Sequence, residues 1–333
     1  MQKAIVTGGG GFVGKAIVRQ LIERGVDTAV IGRHRYPDVE KMGAQIFIGD
    51  IRDSDFLDSC FKGFDTVFHV AAKAGIWGDE KEYISINVNG TENVISACRK
   101  NNISRLIYTS TPSVVFNNES LENIDEKAPY ADSFLCHYAA SKVIAEKCVL
   151  AANNSDLLTT AIRPHLVWGP GDNHLLPRII ERGLKGQLSI VGSGQNKVDI
   201  AYIDNVADAH LLAAENLESS RSAAGQAYFI SQGHPVNLWN WINDLFSRLS
   251  IPPVRKCVSF KKAYLAGTFL ECVYTFFRIK QEPRMTRFLA EQLAKSHWFS
   301  IQKANDELGY TPRVTTEEGM NRTVSWLLEG NKF

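Results

Sequence analysis

The fold is decided by residues 3–14, Lys3-Ala4-Ile5-Val6-Thr7-Gly8-Gly9-Gly10-Gly11-Phe12-Val13-Gly14, where an apolar strand runs directly into a glycine-rich turn. The residues from Phe12 to Arg24 then show the apolar spacing of a helix that ends at Gly25. Glycine costs backbone entropy, so a run of it at this place needs a physical reason. The position between a first strand and a first helix supplies one.

Gly8, Gly11 and Gly14 form the pattern G-x-x-G-x-x-G at that position. One glycine makes the tight turn, one lets the backbone approach a pyrophosphate, and one lets the helix pack closely on the strand. The unpaired N–H groups at the start of the helix would bind the anion. The pattern therefore predicts a dinucleotide-binding turn, and the alternative is a flexible turn. Gly9 and Gly10 need not be glycine for this argument.

Strands and helices alternate through the first half of the chain. After KAIVTG, strands are predicted at DTAVIG, AQIFIGD, FDTVFHVAA, SRLIYTS and LTTAIRP, with helical patterns such as NVNGTENVISACRKN and YAASKVIAEKCVLAANN between them. Continuous apolar strands of this kind indicate a parallel sheet covered on both faces. We predict an α/β fold, a Rossmann-type doubly wound parallel sheet with a smaller, mostly helical C-terminal lobe. The predicted boundaries are 1–168 for the nucleotide-binding domain, to which parts of 196–231 return, and 169–333 for the substrate lobe.

Composition and charge narrow the class of protein. The 333 residues are 44% hydrophobic and 22% charged, as in ordinary globular proteins. Lys and Arg number 37 against 36 Asp and Glu, so the chain lacks the basic field of a nucleic-acid-binding protein. Its six cysteines are scattered without metal-ligand spacing, which predicts reduced thiols, no metal site and a cytoplasmic location. We also expect no signal peptide, because the first strand begins at once.

The end of the second predicted strand bears on which dinucleotide binds. A ribose 2′-hydroxyl is usually held by an acidic residue there, but the sequence has Arg33 and Arg35 instead. The planar guanidinium fork suits a phosphate, which favours NADP(H) over NAD(H). A solvated surface turn is the alternative for these arginines. Asp50 and Ile51, after the third strand, are placed to flank the adenine.

Tyr138 and Lys142 form the pattern Y-x-x-x-K on a predicted helix. A spacing of four places both side chains on one face. Because a free tyrosine has a pKa of about 10, we expect the neighbouring ammonium to lower the pKa of Tyr138 and make it a general acid or base. The hydroxyls of Ser110, Thr111 and Ser113 follow the fifth strand, where one of them could bond the same substrate oxygen. Capping of the strand end is the alternative for these hydroxyls.

Seven motifs occur in order along the chain: TGGGGFVG, GDIRD, HVAAKAG, NVNGTENV, YTSTPSVV, YAASK and IRPHLVWGPGD. Together they resemble the extended short-chain dehydrogenase/reductase superfamily, and within it the 3β-hydroxysteroid dehydrogenase-like branch. The sequence most resembles the bacterial 2-alkyl-3-oxoalkanoate reductases of olefin biosynthesis, on the stretches AAKAGIWG, RLIYTSTPSVV, VWGPGDNHLLPR, VDIAYIDNVADAH and TRFLAEQLAKSHWFS. The resemblance runs from Ile5 to about Met320.

The resemblance implies a role for each matching residue. Tyr138 would donate the proton in reduction, Lys142 would bind the nicotinamide ribose, and Thr111 would be the catalytic Ser/Thr, with Ser113 as the fallback. Asn87 matches a family asparagine, although a structural hydrogen bond explains it equally well. The residues implied at the cofactor are Gly8, Gly11, Phe12, Val13, Gly14, Arg33, Arg35, Asp50, Ile51, Ala71, Ala72, Lys73, Thr109, Tyr138, Lys142 and Pro164.

The resemblance predicts an NADPH-dependent oxidoreductase of lipid metabolism that reduces a hydrophobic β-keto acid, a 2-alkyl-3-oxoalkanoate, to the 3-hydroxy acid. The alternatives are a 3β-hydroxysteroid or sterol dehydrogenase and a nucleotide-sugar epimerase or reductase. A catalytically silent NADP(H)-binding regulator is an alternative of another class. By analogy, helices around 90–100 and 139–151 would form the contact of a homodimer.

The segment Phe260 to Phe277 is apolar nearly all round, with Thr268, Glu271 and Thr275 as its polar stripe. It is shorter than a membrane span of ~20 residues. A buried lid helix is the first interpretation, a helix facing a long acyl chain the second, and a peripheral membrane contact the third. An enzyme-complex contact is a further alternative. His174 and Tyr202 lie in segments predicted to edge the pocket.

Overall fold

The computed structural model describes residues 1–330 as a doubly wound α/β fold. The strands are β1 (Lys3–Thr7), β2 (Asp27–Gly32), β3 (Gln45–Ile48), β4 (Thr66–His69), β5 (Arg105–Thr109), β6 (Leu121–Ile124), β7 (Leu158–Pro164), β8 (Val167–Trp168), β9 (Ile190–Val191), β10 (Lys197–Val198), β11 (Ala201–Tyr202), β12 (Gln226–Ile230), β13 (Val236–Asn237), β14 (Cys257–Val258) and β15 (His297–Phe299).

Helices cover both faces of the main sheet and build most of the C-terminal lobe. They are α1 (Phe12–Glu23), α2 (Pro37–Lys41), α3 (Ser54–Cys60), α4 (Glu80–Tyr83), α5 (Gly90–Lys100), α6 (His137–Ala151), α7 (Leu175–Leu184), α8 (Ile203–Glu218), α9 (Leu238–Arg248), α10 (Phe260–Phe276), α11 (Arg287–Ala294), α12 (Gln302–Leu308) and α13 (Thr316–Glu329). A π-helix spans Ile84–Asn89 and a 3-10 helix spans Pro112–Val115.

The main sheet has seven parallel strands in the order β12-β7-β5-β4-β1-β2-β3. Its order reverses between β1 and β4, so the ends of these two strands open a crevice in which such sheets bind ligands. The central strand β1 is fully buried at Ala4, Ile5 and Val6, as expected for a strand covered on both faces. The six strands predicted from the sequence are all present, and the predicted fold class is confirmed.

The C-terminal lobe adds a four-stranded sheet in the order β13-β10-β15-β6 and two short strand pairs, β11 with β8 and β14 with β9. Strand β12 lies in the segment predicted to return to the first domain, and it pairs in parallel with β7. Strand β6, from the first half of the chain, pairs instead with β15 of the lobe. The predicted domain boundaries stay a prediction.

Helices α5 and α6 pack side by side on one face of the main sheet. The side chain of Ile144 on α6 is 43% exposed, so part of that surface is apolar. The homodimer expected at these helices stays a prediction. Among residues 1–330, no helix combines the length and the hydropathy that crossing a membrane requires.

Candidate functional site

The glycine turn is fixed by close backbone contacts. Gly8 has a φ of +71°, and a Cβ there would lie 2.8 Å from the Cα of Ala71. A Cβ on Gly14 would overlap the carbonyl oxygen of Gly8 and lie 2.7 Å from the Cα of Gly9. Backbone atoms cannot move aside as a flexible side chain can, so only glycine fits both positions. The turn is therefore held in a single shape beside the loop that follows β4.

The other two glycines of the run pack against side chains. A Cβ on Gly9 would lie 2.6 Å from Val30, and a Cβ on Gly10 would overlap the ring of Tyr36. The same ring lies against Gly32, where a Cβ would come within 2.8 Å of its hydroxyl oxygen. The sequence argument treated Gly9 and Gly10 as dispensable, and the structure gives them a packing role. Sequence reasoning missed Tyr36, and only the glycines at 10 and 32 hint that a ring packs there.

The start of α1 suits an anion. Its N-cap is Gly11, which makes no side-chain cap, and the first turn has no acidic residue. A Cβ on Gly11 would meet only the carbonyl oxygen of Gly8, at 3.3 Å, so its other side is open. The first N–H groups of α1, at Phe12 and Val13, have no helical partner and therefore create a positive potential in front of the helix. This cradle fits the pyrophosphate of a dinucleotide.

The loop after β2 presents its two arginines differently. Arg33 is exposed and forms no ion pair with any residue in 1–330, whereas Arg35 donates two hydrogen bonds of 2.9 Å to the carboxylate of Glu40. The pair of Arg35 is at the surface, where such bridges contribute little, so a stronger anion can replace it. Both side chains lie at the edge of the sheet where the sequence places the phosphate.

The residues after β3 are placed at the same edge. Asp50 accepts two hydrogen bonds from the Arg52 guanidinium, of 2.9 and 2.6 Å, and this contact holds its pKa below the usual range. The side chain of Ile51 is buried, and a Cβ on Gly90 would lie 2.6 Å from it. The carbonyl oxygen of Ile51 accepts a hydrogen bond from Asn93, which fixes this turn against α5.

Asn87 clamps the loop that follows β4. Its side-chain oxygen accepts from the N–H of Lys73 at 2.6 Å, and its amide donates to the Lys73 carbonyl at 3.1 Å and to the Ser141 hydroxyl at 2.9 Å. It lies on the π-helix, a distortion that often marks a functional site. The π-helix thus joins Ala71-Ala72-Lys73 to α6, the helix of Tyr138.

Tyr138 and Lys142 lie one turn apart at the start of α6, as the spacing predicts. The ammonium of Lys142 is buried; it donates a hydrogen bond of 2.7 Å to the Thr109 carbonyl and lies 4.1 Å from the centre of the Tyr108 ring. The Thr109 hydroxyl bonds His210 at 2.8 Å. The end of β5 and the start of α6 are therefore tied together through Lys142.

Among the hydroxyls that follow β5, that of Thr111 interacts with the phenol of Tyr138. The Thr111 hydroxyl donates to Ser113 at 3.2 Å. Thr111 also caps the 3-10 helix Pro112–Val115 by accepting from the Ser113 N–H. The buried hydroxyl of Ser110 has no hydrogen-bond partner within residues 1–330. An unpaired buried hydroxyl directly after β5, at the carboxyl edge of the main sheet, fits a site built to hold a polar ligand.

The pKa of Tyr138 moves in the direction opposite to the prediction from the sequence. Burial raises it to about 12, although the hydrogen bond with Thr111 lowers it and Cys136 raises it further. Burial also lowers the pKa of Lys142 to about 7, against the opposing effect of the Glu146 carboxylate. The lysine does not lower the pKa of the phenol here because its ammonium binds Thr109 instead. At neutral pH the phenol therefore carries its proton and can donate it.

The surroundings of Tyr138 are apolar. Tyr138 packs against a buried apolar cluster that includes Val114, Phe116, Cys136 and Phe288. The partly buried Ile76, Phe134 and Leu135 pack against the same cluster. Apolar surroundings favour a hydrophobic substrate and strengthen hydrogen bonds to its oxygen.

Three other residues named from the sequence have different surroundings. Pro164 is buried at the end of β7, at the ligand edge of the sheet. His174 is exposed at the start of α7. Tyr202 is buried and packs edge-on against Trp168, with ring centres 5.4 Å apart, so it belongs to the core of the lobe.

The first interpretation of the segment from Phe260 to Phe277, a buried lid helix, is wrong. Helix α10 buries only Ala263, Gly267 and Glu271, and its large apolar side chains are exposed. A Cβ on Gly267 would lie 2.6 Å from the backbone carbon of Thr286, which is why the small residues face the protein.

Comparison with known proteins places this site in a family. The model of the 3-beta hydroxysteroid dehydrogenase/isomerase family matches residues 5–262. A 2-alkyl-3-oxoalkanoate reductase of Stenotrophomonas maltophilia is 47% identical over 96% of this chain and 98% of its own. One of Shewanella oneidensis is 45% identical over 96% of this chain and 84% of its own. A mouse sterol-4-alpha-carboxylate 3-dehydrogenase is 33% identical over 97% and 90% of the two chains.

Solved structures share the fold along the whole chain. The crystal structure of gox2253 superimposes with a TM-score of 0.82 at 27% identity and covers 100% of both chains. MoeE5 in complex with UDP-glucose and NAD superimposes with a TM-score of 0.76 at 24% identity and covers 99% of each, a likeness of fold alone. On the family match and the full-length relatives, the chain belongs to the 3-beta hydroxysteroid dehydrogenase/isomerase family, a family of oxidoreductases.

Proposed function

We propose that the protein is an NADPH-dependent reductase that converts a hydrophobic β-keto acid, a 2-alkyl-3-oxoalkanoate, to the 3-hydroxy acid. The observation that carries the proposal is the placement of Tyr138 and Lys142 one turn apart at the start of α6, with the Lys142 ammonium bonded to the Thr109 carbonyl at the end of β5. The reductases of Stenotrophomonas and Shewanella support this choice of substrate through their full-length similarity.

The cofactor would lie along the carboxyl edge of the main sheet. The glycine turn and the start of α1 would hold its pyrophosphate, Arg33 its 2′-phosphate, and Lys142 its nicotinamide ribose. When bound, the reduced nicotinamide supplies a hydride to the carbonyl carbon of the substrate. MoeE5, which shares the fold, is in complex with NAD, and this supports a nicotinamide dinucleotide as the cofactor.

Tyr138 would give its phenolic proton to the carbonyl oxygen as the hydride arrives at carbon. The carbonyl then becomes an alcohol, and Tyr138 is left as a phenolate that takes up a proton from solvent. Thr111 would orient the same oxygen with its hydroxyl. Asn87 acts as a positioning residue, since it holds the loop at Lys73 and the Ser141 hydroxyl one turn from Tyr138.

The proposal predicts that Tyr138→Phe leaves NADPH binding unchanged and lowers kcat by ~10²–10⁴, the contribution of a general acid. Turnover is measured as NADPH consumption with a 2-alkyl-3-oxo acid. Tyr228→Phe is the matched control, because it removes a phenol that donates to Glu307 of α12 outside the site, and it should keep the wild-type rate. Turnover of Tyr138→Phe at the wild-type rate would contradict the mechanism.

The substrate class is tested by one comparison of rates. NADPH consumption is measured with 2-alkyl-3-oxo acids, 3-ketosteroids and nucleotide sugars, each at matched concentration. We expect kcat/KM to be highest for the β-keto acids. A higher value for a ketosteroid would replace the proposal by a sterol dehydrogenase, and no oxidation of NADPH with any ketone would indicate a binding protein without catalysis.

A further inference from the structure

The exposed apolar surface of the protein is concentrated on α10. Among residues 1–330, eight large apolar side chains are exposed, and four of them lie on this helix or directly after it: Leu265, Phe269, Phe276 and Phe277. They are 67%, 67%, 81% and 67% exposed. Leu265, Phe269 and Phe276 follow a helical spacing that places them on one face, so they form a stripe instead of isolated contacts with water.

The one carboxylate of α10 faces the protein while its large apolar side chains are exposed, the reverse of an ordinary surface helix. Its one acidic residue, Glu271, is buried and accepts hydrogen bonds of 2.6 Å from the backbone N–H and the guanidinium of Arg287. The Thr268 hydroxyl donates to the carbonyl of Tyr264. Since these groups are satisfied internally, the helix cannot rotate to bury its aromatic face without leaving a carboxylate unpaired.

Cations surround the apolar stripe at both ends. Segment 260–287 contains six lysines and arginines and two glutamates, in a chain whose net charge is +1. Both glutamates already form ion pairs, Glu271 with Arg287 and Glu282 with Arg178. The remaining cations are exposed and form no ion pair with any residue in 1–330: Lys261, Lys262, Arg278, Lys280 and Arg284.

The C-terminal end of α10 touches the loop that leads to the candidate site. The indole N–H of Trp77 donates a hydrogen bond of 3.1 Å to the carbonyl of Ile279, and its ring meets Tyr274 edge-on with centres 6.1 Å apart. Trp77 belongs to the loop after β4, which Asn87 joins to α6. The C-terminal end of α10 therefore lies next to this loop.

We propose that α10 and its flanking cations bind the surface of an anionic phospholipid bilayer. The helix would lie parallel to the membrane, with its leucine and phenylalanine side chains at the acyl boundary and its lysines and arginines among the phosphates. It does not cross the bilayer, in keeping with the absence of a spanning helix in residues 1–330. If the proposed function holds, the hydrophobic substrate reaches the site from the membrane beside the Trp77 loop.

Charge complementarity favours a bilayer over a second copy of the chain. A symmetric dimer through this face would bring the five unpaired cations of each copy together, which is repulsive. An anionic membrane can bind both parts of this surface. Its headgroups carry the charge opposite to that of the lysines and arginines, and its acyl chains can contact the phenylalanines. Binding should therefore need both the apolar stripe and the cations.

The test is co-sedimentation of the full chain with vesicles of phosphatidylcholine alone and of phosphatidylcholine with 30% phosphatidylglycerol. We expect binding to the anionic vesicles that weakens when NaCl is raised from 50 to 500 mM, because salt screens the cations. Phe269→Ser/Phe276→Ser should bind at least tenfold more weakly. Lys261→Gln/Lys262→Gln should bind about tenfold more weakly to anionic vesicles and lose much of the salt dependence.

The control is Leu184→Ser/Leu328→Ser, which removes two exposed leucines on other helices and should bind as the wild type does. Equal binding by the Phe269→Ser/Phe276→Ser variant, or no vesicle binding by the wild type, would overturn the proposal. A dimer in gel filtration that the same variant abolishes would instead identify the stripe as a subunit interface.

A second measurement reports on α10 directly and does not depend on catalysis. Cys272 is an exposed free thiol between Phe269 and Phe276 on the helix, and an environment-sensitive fluorophore attached to it in a Cys257→Ser background should shift to the blue on anionic vesicles. An unshifted label would contradict membrane contact. Because NADPH oxidation by the unlabelled enzyme is measured separately, failure of this proposal leaves the proposed function standing, and the reverse is also true.

Discussion

Helices α1 and α10 are both rich in apolar residues, but α1 buries its large apolar side chains and α10 exposes several of its own. Helix α1 fully buries Ile17, Val18 and Leu21 under the main sheet, whereas α10 exposes Leu265 and Phe269. The first helix is positioned by the glycine turn and the strand it follows; the second is positioned by Gly267 and the Glu271–Arg287 pair. Apolar content alone therefore does not say which way a helix faces, because the smallest and the charged residues decide it.

The largest expected effect would come from breaking the contact that positions α1. In Gly14→Ala the new Cβ overlaps the carbonyl of Gly8, so the turn must open and the pyrophosphate cradle is lost. We expect NADPH binding to weaken by more than 100-fold and the protein to lose about 3 kcal/mol of stability or more. Isothermal titration and urea unfolding measure the two quantities.

The control for this substitution is Gly309→Ala. Unlike Gly14, which lies in α1, Gly309 has a positive φ of +67°, but a Cβ there meets nothing within 4 Å. The substitution should cost only about 1 kcal/mol of backbone strain and leave NADPH binding unchanged. If Gly14→Ala bound NADPH as tightly as the Gly309 variant, the close packing of the turn would not be what forms the cofactor site.

The second prediction concerns Asp199, a carboxyl group that is buried in the same lobe that exposes the aromatic rings of α10. Burial raises the pKa of Asp199 to about 7, although hydrogen bonds with the Phe299 N–H and with Ser231 lower it. Between about pH 4 and pH 7 the folded protein keeps a proton that the unfolded chain has lost, so stability falls as the pH rises through this window. The carboxylate then costs up to about 4 kcal/mol above pH 7.

Asp199→Asn should remove this loss. It should unfold at the same urea concentration as the wild type near pH 3.5, and at an increasingly higher one as the pH rises from 5 to 8. The buried histidines His165 and His297, whose pKa values burial lowers, give stability that rises with pH, but they are present in both proteins and cancel in the comparison. A variant less stable than the wild type at pH 8 would show that Asp199 is needed as a carboxylate.

A matched pair of leucines tests the two helices directly. Leu21 of α1 is fully buried, and Leu265 of α10 is 67% exposed. We expect Leu21→Ala to cost about 3 kcal/mol through the cavity it leaves, and Leu265→Ala to stay within about 0.5 kcal/mol. Urea unfolding of both variants in the same buffer gives the comparison. A large cost at Leu265 would mean that its face is covered when the protein is in solution.

The fold was predictable from two local features of the sequence. Buried parallel strands appear as continuous apolar runs, and the glycine turn lies between the first strand and the first helix. Two strands, DTAVIG and LTTAIRP, occur with the bounds that the sequence predicts. The order of the motifs also predicted that the helix of Tyr138 follows β5. These features depend on local patterns, which the sequence shows directly.

The details that need tertiary contacts were not predictable. The ring of Tyr36 folds back onto Gly10 and Gly32, a contact with no periodic signal. Lys142 was expected to act on Tyr138, yet its ammonium reaches the Thr109 carbonyl, so burial alone dominates the pKa of the phenol. The outward face of α10 likewise follows from one backbone contact at Gly267, which composition cannot show.

The smallest expected effect concerns the arginines in the loop after β2, whose side chains are exposed to solvent like the apolar face of α10. Arg33 has no ion pair in the described chain, while Arg35 must leave Glu40 before it can bind a phosphate. Arg33→Ser should therefore weaken NADPH binding about tenfold and NADH binding by less than twofold, and Arg35→Ser should have a smaller effect in the same direction.

Glu40→Gln releases Arg35 and should tighten NADPH binding several-fold. Dissociation constants for both cofactors, with Arg24→Ser as the control, measure the preference, and an equal loss for NADPH and NADH would assign these arginines to the surface alone.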